Sequence, residues 1–221
     1  MKFMACVLIL FVVSCASVDA TRQPNQVNKL IFSNETFNLG LPVDFAANQT
    51  VVADLNLDGY DDLILTEWHI APLTTRVFMN DKGRKFMEYT VEGFQAESQA
   101  ILKMARGLFG TADWGVIVRY PNRPLLGFTV TVNKVAKKIL FTPVQEGVMP
   151  TVVSNWGDVQ LFDHDQDGQL DFLATSFYDG RTQFSAGPMY IFKGVKESPK
   201  GPKVFTDISD QVGLKGLELI P

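Results

Sequence analysis

The sequence predicts an all-β fold made of about three to four β-propeller-type repeats, as a partial, fragmentary or reduced propeller. Two acidic loops of one pattern begin at Asp54 and Asp163, 109 residues apart. Short runs of apolar, β-branched or alternating residues surround both loops, as strands do. A third, acid-poor copy lies between them, so the repeat length is about 50 to 60 residues, which suits four short strands per unit. The 221 residues are 46% hydrophobic, enough for a sizeable core.

The first 20 residues are typical of a secretory signal peptide. Lys2 precedes an apolar run at residues 3–13, too short to span a bilayer, and small residues follow. Two processing sites stay open: cleavage after Ala20, or a lipoprotein signal ending before Cys15, which would then carry a lipid anchor. Residues 21–29 form a polar tether in either case. We therefore expect a secreted, periplasmic or cell-surface protein without a transmembrane span.

Composition excludes several classes of protein. The formal net charge of -4 argues against a nucleic-acid partner, which would require a basic face. Both cysteines, Cys6 and Cys15, lie in the signal region, so the rest of the chain has no intramolecular disulfide or cysteine-ligated zinc. Two N-x-[ST] sequons, at Asn34 and Asn48, predict a glycoprotein if the host is eukaryotic.

The first repeat is predicted over residues 30–96. Strands at residues 50–52 and 63–65 flank its acidic loop, and residues 75–91 form an alternating pair of strands across a turn. The loop therefore connects strand to strand.

The second repeat, residues 97–148, is degenerate. Aligning its strand at residues 116–118 with residues 63–65 places Gly107 opposite Asp54 and Thr111 opposite Asp58, so the acids are lost. A hairpin is predicted at residues 127–144.

The third repeat covers residues 149–214, with a strand after its loop at residues 172–174 and a hairpin formed by residues 187–194 and 203–209. Residues 215–221 are the start of a further repeat or a tail. Because propellers close with four to eight blades, three explanations remain open. The chain belongs to a longer protein, it closes as a reduced propeller, or it completes itself by oligomerisation.

The two loops, residues 54–62 and 163–171, fit the pattern D-x-[DN]-x-D-G-x-x-D. Calcium takes six to eight oxygen ligands, and alternate residues of a tight loop can direct oxygens to one centre. Glycine at the sixth position permits the sharp turn. The predicted ligands of two Ca²⁺ sites are Asp54, Asn56, Asp58, Asp62 and the carbonyl of Tyr60, and Asp163, Asp165, Asp167, Asp171 and the carbonyl of Gln169.

Two alternatives compete with calcium loops. Such runs also occur as solvated turns, although two copies in one register favour a metal. An EF-hand begins with the same residues, but it needs Glu at the twelfth position and flanking helices. The twelfth residues here are Leu65 and Ala174.

Catalysis is not predicted, because the sequence shows no nucleophile motif, phosphate loop or dinucleotide fingerprint. Of the two histidines, His69 is expected on the surface or in a turn. His164 lies between two ligand positions, and its side chain is expected to point away from the ion. The three tryptophans, Trp68, Trp114 and Trp156, are expected in the core rather than on a sugar-stacking surface.

The loops, their following strands, the segment at residues 187–194 and the segment at residues 204–214 resemble the FG-GAP and VCBS repeats of integrin α-chain-like propellers. The resemblance implies calcium as a structural clamp within a blade and ligand binding on loops elsewhere. We expect a binding, adhesion or scaffold module for an unidentified protein or glycan. The alternatives are the non-catalytic part of a secreted polysaccharide lyase or phospholipase, and a lectin-like sugar binder.

Overall fold

The computed structural model describes residues 33–43, 47–67, 75–94, 96, 100–176, 187–196, 201 and 203–214. The secondary structure of these residues consists of strands joined by turns and loops. The strands are β1 (Ala47–Ala53), β2 (Asp62–Glu67), β3 (Thr75–Asn80), β4 (Phe86–Glu92), β5 (Ile101–Arg106), β6 (Trp114–Arg119), β7 (Pro121–Pro124), β8 (Leu126–Asn133), β9 (Lys138–Pro143), β10 (Val153–Phe162), β11 (Asp171–Ser176), β12 (Met189–Lys196) and β13 (Lys203–Asp207).

Twelve of these strands form three antiparallel units of four. The first unit is β1-β2-β3-β4, the second is β5-β6-β8-β9, and the third is β10-β11-β12-β13. The expected hairpins are β3–β4, β8–β9 and β12–β13. The predicted fold class, all-β with propeller-type repeats, is confirmed.

Several predictions fall outside the described residues. The signal peptide, the tether, both cysteines, Trp68, His69 and residues 215–221 belong to this group. Among the residues that are described, no helix has the length and apolar character needed to cross a membrane.

Two strand pairings join different units. The outer strands β4 and β9 pair in parallel, from Thr90 opposite Lys138 to Glu92 opposite Leu140. This pairing merges the first two units into one eight-stranded, nearly closed barrel-like sheet. The short strand β7 leaves the second unit and pairs with β10 of the third, which makes the second sheet five-stranded.

The first strands of the three units are neighbours. Strand β1 contacts β5, and β5 contacts β10. The Gln49 side chain donates from Nε2 to the carbonyl of Leu102 (2.9 Å) and accepts at Oε1 from the amide of Leu102 (2.6 Å). The Lys103 ammonium lies 3.2 Å from the Asp158 carboxylate. Side chains therefore link the first strands of neighbouring units, although no backbone ladder joins these strands.

The second sequon, at Asn48, lies at this junction between the first and second units. Asn48 donates from Nδ2 to the carbonyl of Ala100 at 3.1 Å, so its amide already holds two units together. A glycan on that nitrogen would break this contact. Asn34, in contrast, is exposed.

Successive residues of one strand enter different cores, because side chains alternate across a sheet. In β6, Val116 and Val118 enter the core between the first and second units, whereas Ile117 enters the core between the second and third. In β2, Ile64 joins the first of these cores, and Leu63 joins a smaller cluster with Leu41 on the other face. Full burial of such a side chain contributes about 1.5–3 kcal/mol, so the side chains buried between units contribute strongly to stability.

Candidate metal loops and the adjoining cleft

Both acidic loops occupy the same place in their units. The first connects β1 to β2 and the second connects β10 to β11, each time between the first and second strands. A strand on each side distinguishes these loops from an EF-hand, which has helices there. The prediction that the loops connect strand to strand is therefore confirmed.

In each loop the carboxylate of the first residue stabilises the turn by accepting hydrogen bonds from the amides of the fifth and sixth residues. Asp54 accepts hydrogen bonds from the amides of Asp58 (3.0 Å) and Gly59 (2.8 Å). Asp163 accepts the equivalent bonds from Asp167 (3.1 Å) and Gly168 (2.9 Å). The two loops thus share one backbone conformation, which fits their shared sequence pattern.

The sixth residue has the left-handed backbone that the pattern predicts. Gly59 has φ +90 and Gly168 has φ +80. The fourth residues, Leu57 and Gln166, also have positive φ, at 59° and 60°. Sequence reasoning did not identify these two, because nothing in a Leu or Gln side chain signals that conformation.

The seventh residue carries the predicted carbonyl ligand. Its amide is directed to the fifth-position carboxylate, from Tyr60 to Asp58 at 3.1 Å and from Gln169 to Asp167 at 2.8 Å. These bonds hold the seventh residue beside the acidic cluster in both loops.

The ninth residue, Asp62 or Asp171, is fully buried. Asp62 accepts hydrogen bonds from the amides of Leu55 (2.9 Å) and Asn80 (2.8 Å). Asp171 accepts the equivalent bonds from His164 (2.9 Å) and Gly194 (2.8 Å). Each carboxylate therefore ties the start of its loop to the third strand of the unit. Burial raises the pKa of Asp62 to about 6, although its backbone donors act in the opposite direction.

The third residue completes the acidic cluster. Carboxylate oxygens of Asp163, Asp165 and Asp167 lie within 4.8 Å of one another. In the first loop Asn56 occupies the third position, and its Oδ1 is buried without a hydrogen-bond partner among the described residues. Carboxylate and amide oxygens are ligands that a hard cation prefers, so the donor set fits calcium. In the second loop the structure therefore brings together three of the predicted ligand side chains, those of Asp163, Asp165 and Asp167.

The orientation predicted for His164 is wrong. Its Nδ1 lies 2.8 Å from Asp171 Oδ2 and 3.8 Å from Asp165 Oδ1, so the ring turns toward the acids. The corresponding residue of the first loop, Leu55, is buried in the core. The second position therefore faces the acids in one loop and the core in the other, which a count of alternating ligand positions does not reveal.

Two lysines near the second loop were not identified from the sequence. Lys193 Nζ contacts Asp165 and lies 3.2 Å from Asp167 Oδ2. Its hydrogen bond lowers the pKa of Asp165. Lys203 is fully buried, donates to the carbonyl of Leu170, and has its pKa lowered to about 8 by burial. Both lysines come from strands remote in sequence, so no local pattern indicates them.

The degenerate loop of the second unit borders a cleft. Gly107 donates to the carbonyl of Asp113 at 3.0 Å, and Trp114 follows as the first residue of β6. The cleft, of about 280 Å³, lies between this loop and the first acidic loop. Its lining includes Asn56, Leu57, Arg106, Asp113, Trp114 and Lys134.

The tryptophans differ in environment. Trp156 is fully buried in the core between the second and third units, as predicted. Trp114 is only partly buried; it packs against the first core and also lines the cleft.

No protein-family model matches this chain, and no significant match was found among curated proteins.

Proposed function

We propose that this protein is a secreted or surface-anchored repeat module that calcium stabilises and that acts by binding or as a scaffold. The proposal depends on one observation above all. Two loops 109 residues apart in sequence adopt the same hydrogen-bonded turn between the first and second strands of their units, and in the second loop three carboxylates lie close together.

Several features support calcium at these loops. Close carboxylates repel one another, and a cation removes that cost. In the first loop the buried Oδ1 of Asn56 has no donor among the described residues, so a ligand bond would satisfy it. The residues that would hold the ion in the first loop are Asp54, Asn56, Asp58 and the carbonyl of Tyr60, with Asp62 beneath. When bound, the ion would supply positive charge and tie first and second strands together.

The extracellular location rests on the signal-like N-terminus and on the resemblance to FG-GAP and VCBS repeats. Extracellular calcium modules bind the ion with a dissociation constant of about 10⁻⁴ to 10⁻³ M. By mass action, the free energy of unfolding should then rise with calcium concentration.

The test is thermal unfolding of the mature chain in calcium and in a chelator, repeated on Asp58→Ala, Asp167→Ala and the double variant. We expect calcium to raise the melting temperature of the wild type, each single variant to lose part of the rise, and the double variant to lose most of it. If the wild type is folded and calcium does not change its melting temperature, both loops are acidic turns and not metal sites.

A second candidate function, sugar binding, is favoured by the cleft beside Trp114. The cleft combines an aromatic side chain, Trp114, with the polar side chains of Arg106, Asp113 and Lys134, as small-ligand sites do. Trp156 cannot take part, because it is fully buried. A glycan array with the wild type and Thr131→Trp, which would fill the cleft, tests this function. Binding that the substitution leaves unchanged would exclude the cleft.

A further inference from the structure

The two acidic loops carry different charges at their first, third and fifth positions, although their backbones match. The third position is Asn56 in the first loop and Asp165 in the second, so the second loop has one more carboxylate at these positions. Over all nine residues each loop has four carboxylates, because Asp61 adds one to the first loop.

A second difference lies on the third strand of each unit. Phe78 pairs with Leu63 in the first unit, and Phe192 pairs with Phe172 in the third. The next residues along the strands, Met79 and Lys193, therefore occupy corresponding positions. The unit with the additional carboxylate also has the lysine.

These two differences cancel. The first, third and fifth positions of the first loop contribute two negative charges, from Asp54 and Asp58. Those of the second loop contribute three, and the ammonium of Lys193 brings the sum back to two.

The geometry connects the two differences directly. Lys193 Nζ contacts Asp165, the additional carboxylate, and lies 3.2 Å from Asp167. The lysine side chain is 28% exposed and the two carboxylates are 34% and 35% exposed, so solvent weakens this contact without abolishing it. The described residues show no ammonium or guanidinium within salt-bridge distance of Asp54 or Asp58.

We propose that Lys193 is a built-in counter-cation of the second loop, which holds Asp165 and Asp167 together without metal and competes with calcium for them. The first half of this role does not require calcium. The second half rests on the proposed function, because competition has meaning only if the loop binds the ion.

The experiment exchanges residues between the loops. Lys193→Met introduces the residue of the first unit, Asp165→Asn does the same at the third position, and the double variant carries both. Lys85→Met, which removes an exposed lysine outside the loops, controls for the change in net charge. Melting temperatures in a chelator and calcium titrations by calorimetry are compared. The titrations use an Asp58→Ala background so that the first loop does not contribute.

In the chelator we expect Lys193→Met to lower the melting temperature by about 1–3 °C, the effect typical of losing an exposed ion pair in a chain of this size. The double variant should recover most of this loss, because the additional carboxylate is also gone. In the titration Lys193→Met should bind calcium about two- to fivefold more tightly.

The outcomes distinguish the counter-cation role of Lys193 from its competition with calcium. If Lys193→Met behaves like Lys85→Met in the chelator and the double variant shows no recovery, the counter-cation role is overturned. If calcium binds but its affinity is the same with and without Lys193, the competition is overturned. If the background variant binds no calcium while the chelator results hold, the proposed function of the second loop fails and the counter-cation role stands.

Discussion

The indole Nε1 of Trp114 donates a hydrogen bond to the backbone carbonyl of Asp54 at 3.1 Å. Trp114 begins the second strand of the second unit, and Asp54 begins the acidic loop of the first. A residue that sets the position of one loop is thus held by the neighbouring unit. The conformation of the first loop should therefore depend on how the first two units pack.

Substituting Trp114→Phe tests this dependence. Loss of the hydrogen bond should lower the free energy of unfolding by about 1 kcal/mol. The calcium-dependent rise in melting temperature should also shrink, because Asp54 loses one of its fixed contacts. Chemical denaturation in calcium and in a chelator measures both quantities.

Trp156→Phe is the matched control. Trp156 donates to the carbonyl of Arg123 at 2.7 Å, away from the first loop. This variant should be less stable than the wild type yet keep the full calcium response. An equal calcium response in Trp114→Phe and the wild type would contradict the coupling.

A second prediction concerns Gln49, whose side chain bonds both backbone groups of Leu102. Gln49→Ala should cost about 1–3 kcal/mol, because the inner-strand amide and carbonyl of Leu102 lose their partner. Gln49→Glu should not rescue the variant, since a carboxylate cannot donate to that carbonyl. Urea denaturation at neutral pH provides the comparison, and full stability of Gln49→Glu would show that the donated bond is unimportant.

A third prediction separates backbone strain from steric clash. Gly59→Ala should cost about 1 kcal/mol, because φ is +90 while nothing lies within 4 Å of the added Cβ. Gly194→Ala should cost about 2–3 kcal/mol, since its Cβ would lie 2.5 Å from the Leu170 carbonyl oxygen. Free energies of unfolding in a chelator give the ranking, and a larger loss for Gly59→Ala would contradict it.

A fourth prediction concerns pH. Burial lowers the pKa of Lys203 from 10.5 to about 8, so between these values the unfolded chain binds more protons at this site than the folded chain. The contribution of Lys203 to the free energy of unfolding should therefore rise as pH increases from 8 toward 10.5. The difference between the wild type and Lys203→Met, followed by denaturation in a chelator from pH 7 to pH 10, isolates this group. The free energy of unfolding of the wild type should rise relative to that of the variant as pH increases. A constant difference would mean that the ammonium is not desolvated.

The strands and the loop contacts were largely predictable. A hairpin such as β3–β4 depends on alternation over a few residues and on a turn at residues 80–83, all of which are visible in a short stretch of sequence. The hydrogen bonds that the Asp54 carboxylate accepts from the amides of Asp58 and Gly59 close within six residues. Such contacts depend only on residues within one unit.

The contacts between units were not predictable in this way. The pairing of β4 with β9 joins residues 48 positions apart at Thr90 and Lys138, and neither strand carries a signal for its partner. The approach of Lys193 to Asp165 also depends on where a strand 28 residues further along the chain lies.

The sequence by itself determined the all-β repeats, the two acidic loops and the absence of acids from the middle copy, because each depends on residues close together in the chain. Only the tertiary structure decided which units share a core, which side chains link the first strands of neighbouring units and which lysines lie beside the second loop. Those contacts form when sheets stack, and stacking depends on the combined shape of many side chains rather than on any one segment.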